Sequence, residues 1–281
     1  MIRADLFLVE QGLVTSRNRA QELIASGKVF LVVNGHRKAI TKASAQIDPE
    51  TASIEVVQEA GEAQYVSRGG LKMQGALQRT GFDVKGLKIL DIGISTGGFA
   101  DCLLQRGAAG IVGVDVGHGQ LAAQLQRDPR VRLFEGVNAR DLSSEIIQKQ
   151  LSESNAGRKF DLVVVDVSFI SLTLVLPELI QYLEESSPVI ALVKPQFEVG
   201  RDGLGKNGVV KDPSRFAEVE AKIRRACSTL DLTVEDYFES PIEGTDGNRE
   251  FFLYARHAQL AFGGFSDDSK FSSGSVGSGR L

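Results

Sequence analysis

The sequence predicts an α/β protein: a largely parallel sheet with helices on both faces, preceded by a small α+β module. From Lys88 onward, short apolar runs alternate with helical spacings, the pattern of repeated βα units. Runs such as Phe160 to Val165 and Pro188 to Val193 are apolar throughout, as expected of strands buried on both faces. Thirty glycines supply many tight strand–helix connections. With 281 residues, 42% of them hydrophobic, the chain can bury a substantial core and holds more than one domain.

In the first module, Ile2, Leu6, Val9 and Leu13 set a helical spacing beginning at residue 2. A second short helix is expected over 16–26, with Ser16 able to cap it and Gly27 where a left-handed stop falls. Leu31-Val32-Val33 followed by Asn34-Gly35 reads as a strand entering a tight hairpin turn. Residues 43–57 return as extended segments around a turn at Asp48-Pro49. The net charge of −4 does not advertise nucleic-acid binding, yet it is unevenly spread. Residues 1–42 carry seven bases (Arg3, Arg17, Arg19, Lys28, Arg37, Lys38, Lys42) against three acids (Asp5, Glu10, Glu22). Arg17, Arg19 and Lys28 would project together near the helix–turn junction. That local patch suits phosphates, although ordinary solvated helix charge explains it equally well.

Arg17 through Gly27, followed by Val33-Asn34-Gly35, resembles the S-four-type RNA-binding domain of ribosomal proteins and pseudouridine synthases. The resemblance implies an RNA-binding domain over residues 1–59, with Arg3, Arg17, Arg19 and Lys28 toward the phosphates of structured RNA. Residues 60–66 then read as a linker, small and polar from Ala60 to Gln64. In Val66-Ser67-Arg68-Gly69-Gly70-Leu71-Lys72, the glycines precede a helix with Leu71, Ala76 and Leu77 inward. Lys72 falls in its first turn, an unfavourable place for a cation beside the positive dipole end, and so a candidate for a site.

The chain is organised around Lys88 to Phe99: an apolar strand ending in Asp91-Ile92-Gly93, a glycine-rich turn, and a helix over 99–106. Such a turn lies at the carboxyl end of a strand, where open α/β sheets bind ligands. Between Gly93 and Asp101 there is no Lys or Arg, and neither the Gly-x-x-x-x-Gly-Lys-Ser/Thr nor the Gly-x-Gly-x-x-Gly pattern is present. Asp-x-Gly-x-x-x-Gly-Gly instead suits a ligand with a zwitterionic end and a nucleoside, such as S-adenosyl-L-methionine; a tight turn in some other α/β sheet is the plain alternative. Asp91, Gly93, Ser95, Thr96, Gly97, Gly98 and Phe99 are the candidate cofactor residues. Asp115 ends the next strand, 111–116, and can accept from ribose hydroxyls. Asn138, after the strand at 131–134, could read an adenine edge. The strand at 160–165 ends at Asp166, and that at 188–193 at Lys194-Pro195, so acid and amine point into one crevice.

Residues 198–211 form a glycine- and charge-rich loop, long enough to suspect function. Asp212-Pro213 opens a helix, and 232–238 and 250–256 are the last strands. Residues 263–281, rich in Gly and Ser, are expected to be a disordered tail. Cys102 and Cys227 lie in apolar helical patterns and read as reduced core residues; with three scattered histidines, no metal site is expected. No secretory leader or membrane-spanning run is apparent, which places the chain in the cytoplasm.

Lys72, Asp166, Lys194 and Glu250 each stand at an element end on the ligand side. Two ammonium groups near each other and near apolar strand ends are expected to lower one another's pKa, favouring a lysine base. That suits a weakly acidic alcohol such as a ribose 2′-hydroxyl attacking a sulfonium methyl, with Lys194 as base or orienter and Asp166 holding it.

Val66 to Lys72, Asp91 to Phe99, Val114 to Leu121, Asp166 to Ser171, Leu192 to Glu198 and Gly247 to Phe252 together resemble the TlyA/hemolysin family, over roughly residues 1–256. The resemblance implies an S-four-type domain joined to an FtsJ-like methyltransferase domain, here 67–257, with a Rossmann-like class I fold. It further implies S-adenosyl-L-methionine as cofactor, cytidine 2′-oxygens of ribosomal RNA or ribosomal subunits as substrate, and Lys72, Asp166, Lys194 and Glu250 as the catalytic set. Asp166 also serves the cofactor, and Arg68 the RNA. The linker Ala63-Gln64-Tyr65-Val66 departs from the mycobacterial pattern. A membrane-active haemolysin would need an amphipathic or spanning segment, which is missing. An assembly factor that binds cofactor without transferring methyl would not need all four charged residues.

Overall fold

The computed structural model describes residues 1–257 except Gly12, Thr15, Ser16, Asn34, Gly35, Glu50, Thr51, 58–63, Lys206, Asn207 and Thr245. The Ser16 cap, the Asn34-Gly35 turn, most of the linker, the Arg19 side chain and the 263–281 tail therefore lie outside the described residues.

Residues 2–57 pack around a small core of their own. Helices α1 (Ala4–Glu10) and α2 (Arg17–Ala25) bury Phe7, Leu8, Leu23 and Ile24 together with Val29, Ile40 and Ile47. Strand β2 (Val29–Val33) is central to a three-stranded antiparallel sheet, flanked by β3 (His36–Ala39) and β5 (Ser53–Val56). Val33 pairs with His36. The start of the chain differs from expectation: Ile2–Arg3 is a strand, β1, paired with β4 (Gln46–Ile47), and the helix begins only at Ala4. Helical spacing and a two-residue strand cannot be told apart from Ile2 alone, and pairing with a distant segment decides it.

The rest is a seven-stranded sheet. In space its order is β11 (Leu232–Glu239), β12 (Phe251–His257), β10 (Pro188–Val193), β9 (Leu162–Val165), β6 (Lys88–Ile92), β7 (Gly110–Asp115), β8 (Val131–Glu135). Strands β6 to β10 are mutually parallel where paired, and β12 alone runs against both its neighbours. Alternate residues of one strand enter different cores, which explains the continuous apolar runs. Leu90, Val163, Val165 and Val193 face one cluster, and Ile89, Leu162, Val164 and Leu192 the other. Helices α3 (Gly69–Thr80), α4 (Gly98–Gln105) and the short α5 (Ala123–Gln126) cover the second face through Met73, Leu77, Phe99, Leu103 and Leu125. The first face is covered by α6 (Glu145–Ser154), α7 (Leu176–Leu179) and α8 (Pro213–Ser228). Of these, α6 and α7 are absent from the sequence reading.

Asp212 caps α8 by accepting from the Ser214 N–H at 2.9 Å. Leu71 is only partly buried, while Met73, Ala76 and Leu77 carry the inward face of α3. Phe160 stands before β9 and bridges to Leu183. Cys102 and Cys227 are buried free thiols. Among the described residues no helix is long and apolar enough to cross a membrane.

The chain lays down β6, β7 and β8 outward on one side, then returns to place β9 and β10 on the other. The gap between β6 and β9 is the topological switch point, where loops diverge and leave a crevice at the carboxyl ends.

Candidate active site

Two adjoining cavities open at that crevice, of about 540 Å3 and about 630 Å3. Gly93, Ser95, Asp166, Ser168 and Phe169 belong to both and form the wall between them.

The first cavity collects the four charged residues. Lys72, on α3, donates to Glu250 Oε2, the residue just before β12. Lys194 Nζ, at the end of β10, lies 2.7 Å from Asp166 Oδ1 at the end of β9. It also donates to Ser168 Oγ at 2.8 Å. Both lysine side chains are 11% exposed. The reversed direction of β12 brings Glu250 here, because the start of an antiparallel strand lies beside the ends of its neighbours.

The charge balance corrects one expectation. Burial alone would pull the Lys194 ammonium down, but the Asp166 carboxylate in contact, with Glu250 and Asp246 nearby, raises its pKa above the ordinary lysine value. The carboxylate neighbours of Lys194 outweigh its burial and favour the ammonium form. Asp166 shows the reciprocal effect: burial opposes its ionisation, and Lys194 and Lys72 outweigh it, holding the pKa below the usual value. In Glu250 burial wins over Lys72, and its pKa is raised.

The turn after β6 is built by close approach. Gly93 has φ 84°, and a Cβ there would sit 2.4 Å from the Asp166 carbonyl oxygen. At Gly98, the first residue of α4, a Cβ would lie 2.3 Å from Ser67 Oγ and 3.0 Å from the Gly69 Cα, so α3 and α4 meet backbone to backbone. Thr96 and Phe99 line the first cavity, with Phe99 buried. Gly97 lies in the same turn but lines neither cavity.

Asp115 and Asn138 line the second cavity. Asp115 accepts the Ser95 N–H at 2.8 Å on Oδ2 and the Gly117 N–H at 2.7 Å on Oδ1, with lone pairs to spare on each oxygen. Asn138 Oδ1 accepts the Arg140 N–H at 3.0 Å, and its amide N–H groups are open to a ligand. Asp91 lines neither cavity. It is fully buried with no side-chain partner for its carboxyl among the described residues, and burial, then the charges of Asp166 and Asp115, push its pKa well above the usual value against the Ala100 backbone.

The basic residues are placed less simply. Arg3 and Arg17 both grip Asp5, which has no exposure, through bonds of 2.9 Å each, and Gln21 adds a third at 2.9 Å. These partners hold the Asp5 carboxyl far below the ordinary value despite its burial. Arg3 and Arg17 thus share a structural anion, with their outer N–H groups at the surface. Lys28 follows α2 and is half-buried. Arg68 lines the first cavity and donates to the Glu243 carbonyl at 2.9 Å.

Three features escaped the sequence reading. Phe169 is 92% exposed with φ 65°, a left-handed conformation rare for an aromatic residue, and its ring stands 5.2 Å from that of Phe197. Buried Glu198 accepts from Ser171 Oγ and the Leu172 N–H at 2.6 Å each and from Lys222 Nζ at 2.7 Å. Ser168 Oγ accepts from the Lys194 amine. Only the polar residues following Asp166 hint at any of them.

The strand order, with one reversed strand inside one edge, is that of the class I methyltransferase fold. Residues 65–257 match the family model described as FtsJ-like methyltransferase. The chain is 43% identical over 254 residues to the Mycobacterium tuberculosis 16S/23S rRNA (cytidine-2'-O)-methyltransferase TlyA, covering 90% of this chain and 89% of that one. It is 32% identical over 265 residues to the Campylobacter jejuni 23S rRNA (cytidine-2'-O)-methyltransferase TlyA, covering 88% and 97%. A solved Streptococcus thermophilus structure that carries a hemolysin name superimposes with TM-score 0.69 at 36% identity, over 92% of this chain and 88% of that one. The chain belongs to the FtsJ-like methyltransferase family, within its TlyA group.

Proposed function

We propose that this chain transfers a methyl group from S-adenosyl-L-methionine to the 2′-oxygen of cytidine in ribosomal RNA. The observation that carries the reading is the convergence of Lys72–Glu250 and Lys194–Asp166 on one cavity beside the glycine turn. The residues fit the cofactor. Asp115 and Asp166 flank a turn without a cation, which favours a positively charged ligand over a phosphate. The backbone at Gly93 leaves space that a Cβ would fill. Asp115 and Asn138 would hold the nucleoside, and Gly93, Ser95, Thr96 and Asp166 the amino-acid end. When bound, the cofactor supplies an electrophilic methyl on a sulfonium.

The protein's task is then alignment, and the hydroxyl proton leaves to water. Lys194, as an ammonium held by Asp166, orients the 2′-oxygen toward the methyl; this is the role its raised pKa favours. Lys72, paired with Glu250, fixes the ribose from the other side. Phe169 offers an exposed ring at the mouth on which an unstacked base can lie.

Residues 1–59 serve as the RNA-binding domain, with Arg3, Arg17, Arg19 and Lys28 toward phosphates and Arg68 at the entrance to the site. Residues 60–66 link them to the methyltransferase domain, 67–257. The enzyme works in the cytoplasm, where ribosomal RNA is found. The test is labelled-methyl transfer to ribosomal subunits by the wild type and Lys194→Ala, with cofactor affinity measured beside it. We expect transfer to be lost and affinity kept; wild-type transfer rates from Lys194→Ala would overturn the assignment.

A further inference from the structure

The Lys194 ammonium has three N–H bonds. It forms an ion pair with Asp166 Oδ1, 2.7 Å away, and donates one of the three to Ser168 Oγ, 2.8 Å away. One directed hydrogen bond fixes the rotation about Cε–Nζ and with it the directions of all three N–H bonds, and the amine stands on the wall of the first cavity. The ion pair with Asp166 supplies charge without a directed hydrogen bond, so the bond to Ser168 sets that rotation.

Ser168 is itself held. Two residues before it, Asp166 closes β9 and its N–H donates to the Ile92 carbonyl at 2.9 Å. Three residues after it, Ser171 Oγ and the Leu172 N–H are fastened to buried Glu198 at 2.6 Å each. Between these anchors the chain takes the left-handed turn at Phe169, φ 65°. A strained residue persists only where its surroundings over-determine it, and here the strain sits directly beside the hydroxyl that meets Lys194.

We propose that Ser168 is a positioning residue for methyl transfer: its hydroxyl is the second partner of Lys194 and aims the free N–H at the substrate oxygen. The inference rests on the ribose 2′-O-methylation reading above. Ser168 neither gives nor takes a proton in the net reaction; its role is geometric, and it acts through the amine.

Threonine and valine at this position share a shape and differ by the hydroxyl, so Ser168→Thr against Ser168→Val isolates the bond from the space it fills. Each variant and the wild type are assayed for labelled-methyl transfer to ribosomal subunits, with cofactor affinity by calorimetry and KM for subunits alongside. We expect Ser168→Val to lose roughly 10- to 100-fold in kcat, with both binding constants within about two-fold, and Ser168→Thr to restore most of the rate. Ser168→Ala, which adds no bulk, is expected to fall with Ser168→Val and guards against a steric artefact. Equal rates for Ser168→Val and Ser168→Thr overturn the proposal, as does a loss confined to cofactor affinity. Absence of transfer by the wild type sinks the underlying methylation reading instead, a distinct result.

Discussion

At the scale of single residues, the site is an arrangement of paired charges, and pairing decides protonation. Lys194 is raised rather than lowered because Asp166 is within contact distance and Glu250 stands behind it. Asp166→Asn removes the nearest of these carboxylates, so burial weighs more and the lysine pKa falls; we expect reactivity of Lys194 toward acetic anhydride at neutral pH to rise, read by mass spectrometry. Phe169 offers a separate test. A left-handed non-glycine residue is strained by about 1–3 kcal/mol, more than the ~0.5–1 kcal/mol of flexibility that glycine costs. Phe169→Gly is therefore expected to be no less stable than wild type in thermal denaturation while methyl transfer to ribosomal RNA falls. Asp5 carries a pH dependence of known sign. Its folded pKa lies below 3.8, the ordinary aspartate value, so its contribution is complete above that value and lost as the pH falls below it. Protection of the Ala4–Glu10 amides, taken relative to their intrinsic exchange rates, should fall on acidification, and Asp5→Asn should remove that dependence while lowering protection at neutral pH.

At the scale of elements, what could be read from the sequence was what local pattern controls. The strands of the parallel sheet announce themselves because both faces are buried, and their terminal residues Asp91, Asp115, Asp166 and Lys194 follow from that. Glu250 follows less directly, since its place depends on β12 running backwards between β10 and β11. Features set by long-range pairing were hidden. Ile2–Arg3 becomes a strand only because Gln46–Ile47 lies alongside. Glu198 and Lys222 meet 24 residues apart, with Ser171 27 residues before Glu198. The left-handed turn at Phe169 has no glycine or asparagine to betray it. The α3–α4 contact was half legible: the glycines were plain, but not that Gly98 rests on Ser67 and Gly69. Gly98→Ala should push the helices apart, lowering stability by about 1–3 kcal/mol and weakening cofactor binding, checked by denaturant titration and calorimetry.

At the scale of the whole molecule, the separate cores of residues 2–57 and of the large sheet let substrate capture and chemistry be tested apart. A chain lacking residues 1–57 is expected to bind S-adenosyl-L-methionine with unchanged affinity and to lose transfer to ribosomal RNA; full transfer by the shortened chain would deny those residues a role in capture. The reversed strand has a further consequence, in the order of synthesis. A ribosome making this protein releases Lys72, Asp166 and Lys194 well before Glu250 emerges, so during translation Lys72 waits without its counter-ion. The nascent polypeptide is expected to transfer no methyl until its final hairpin docks through β12 onto the open edge of β10. A premature stop codon ahead of that hairpin would yield most of the sheet and none of the activity.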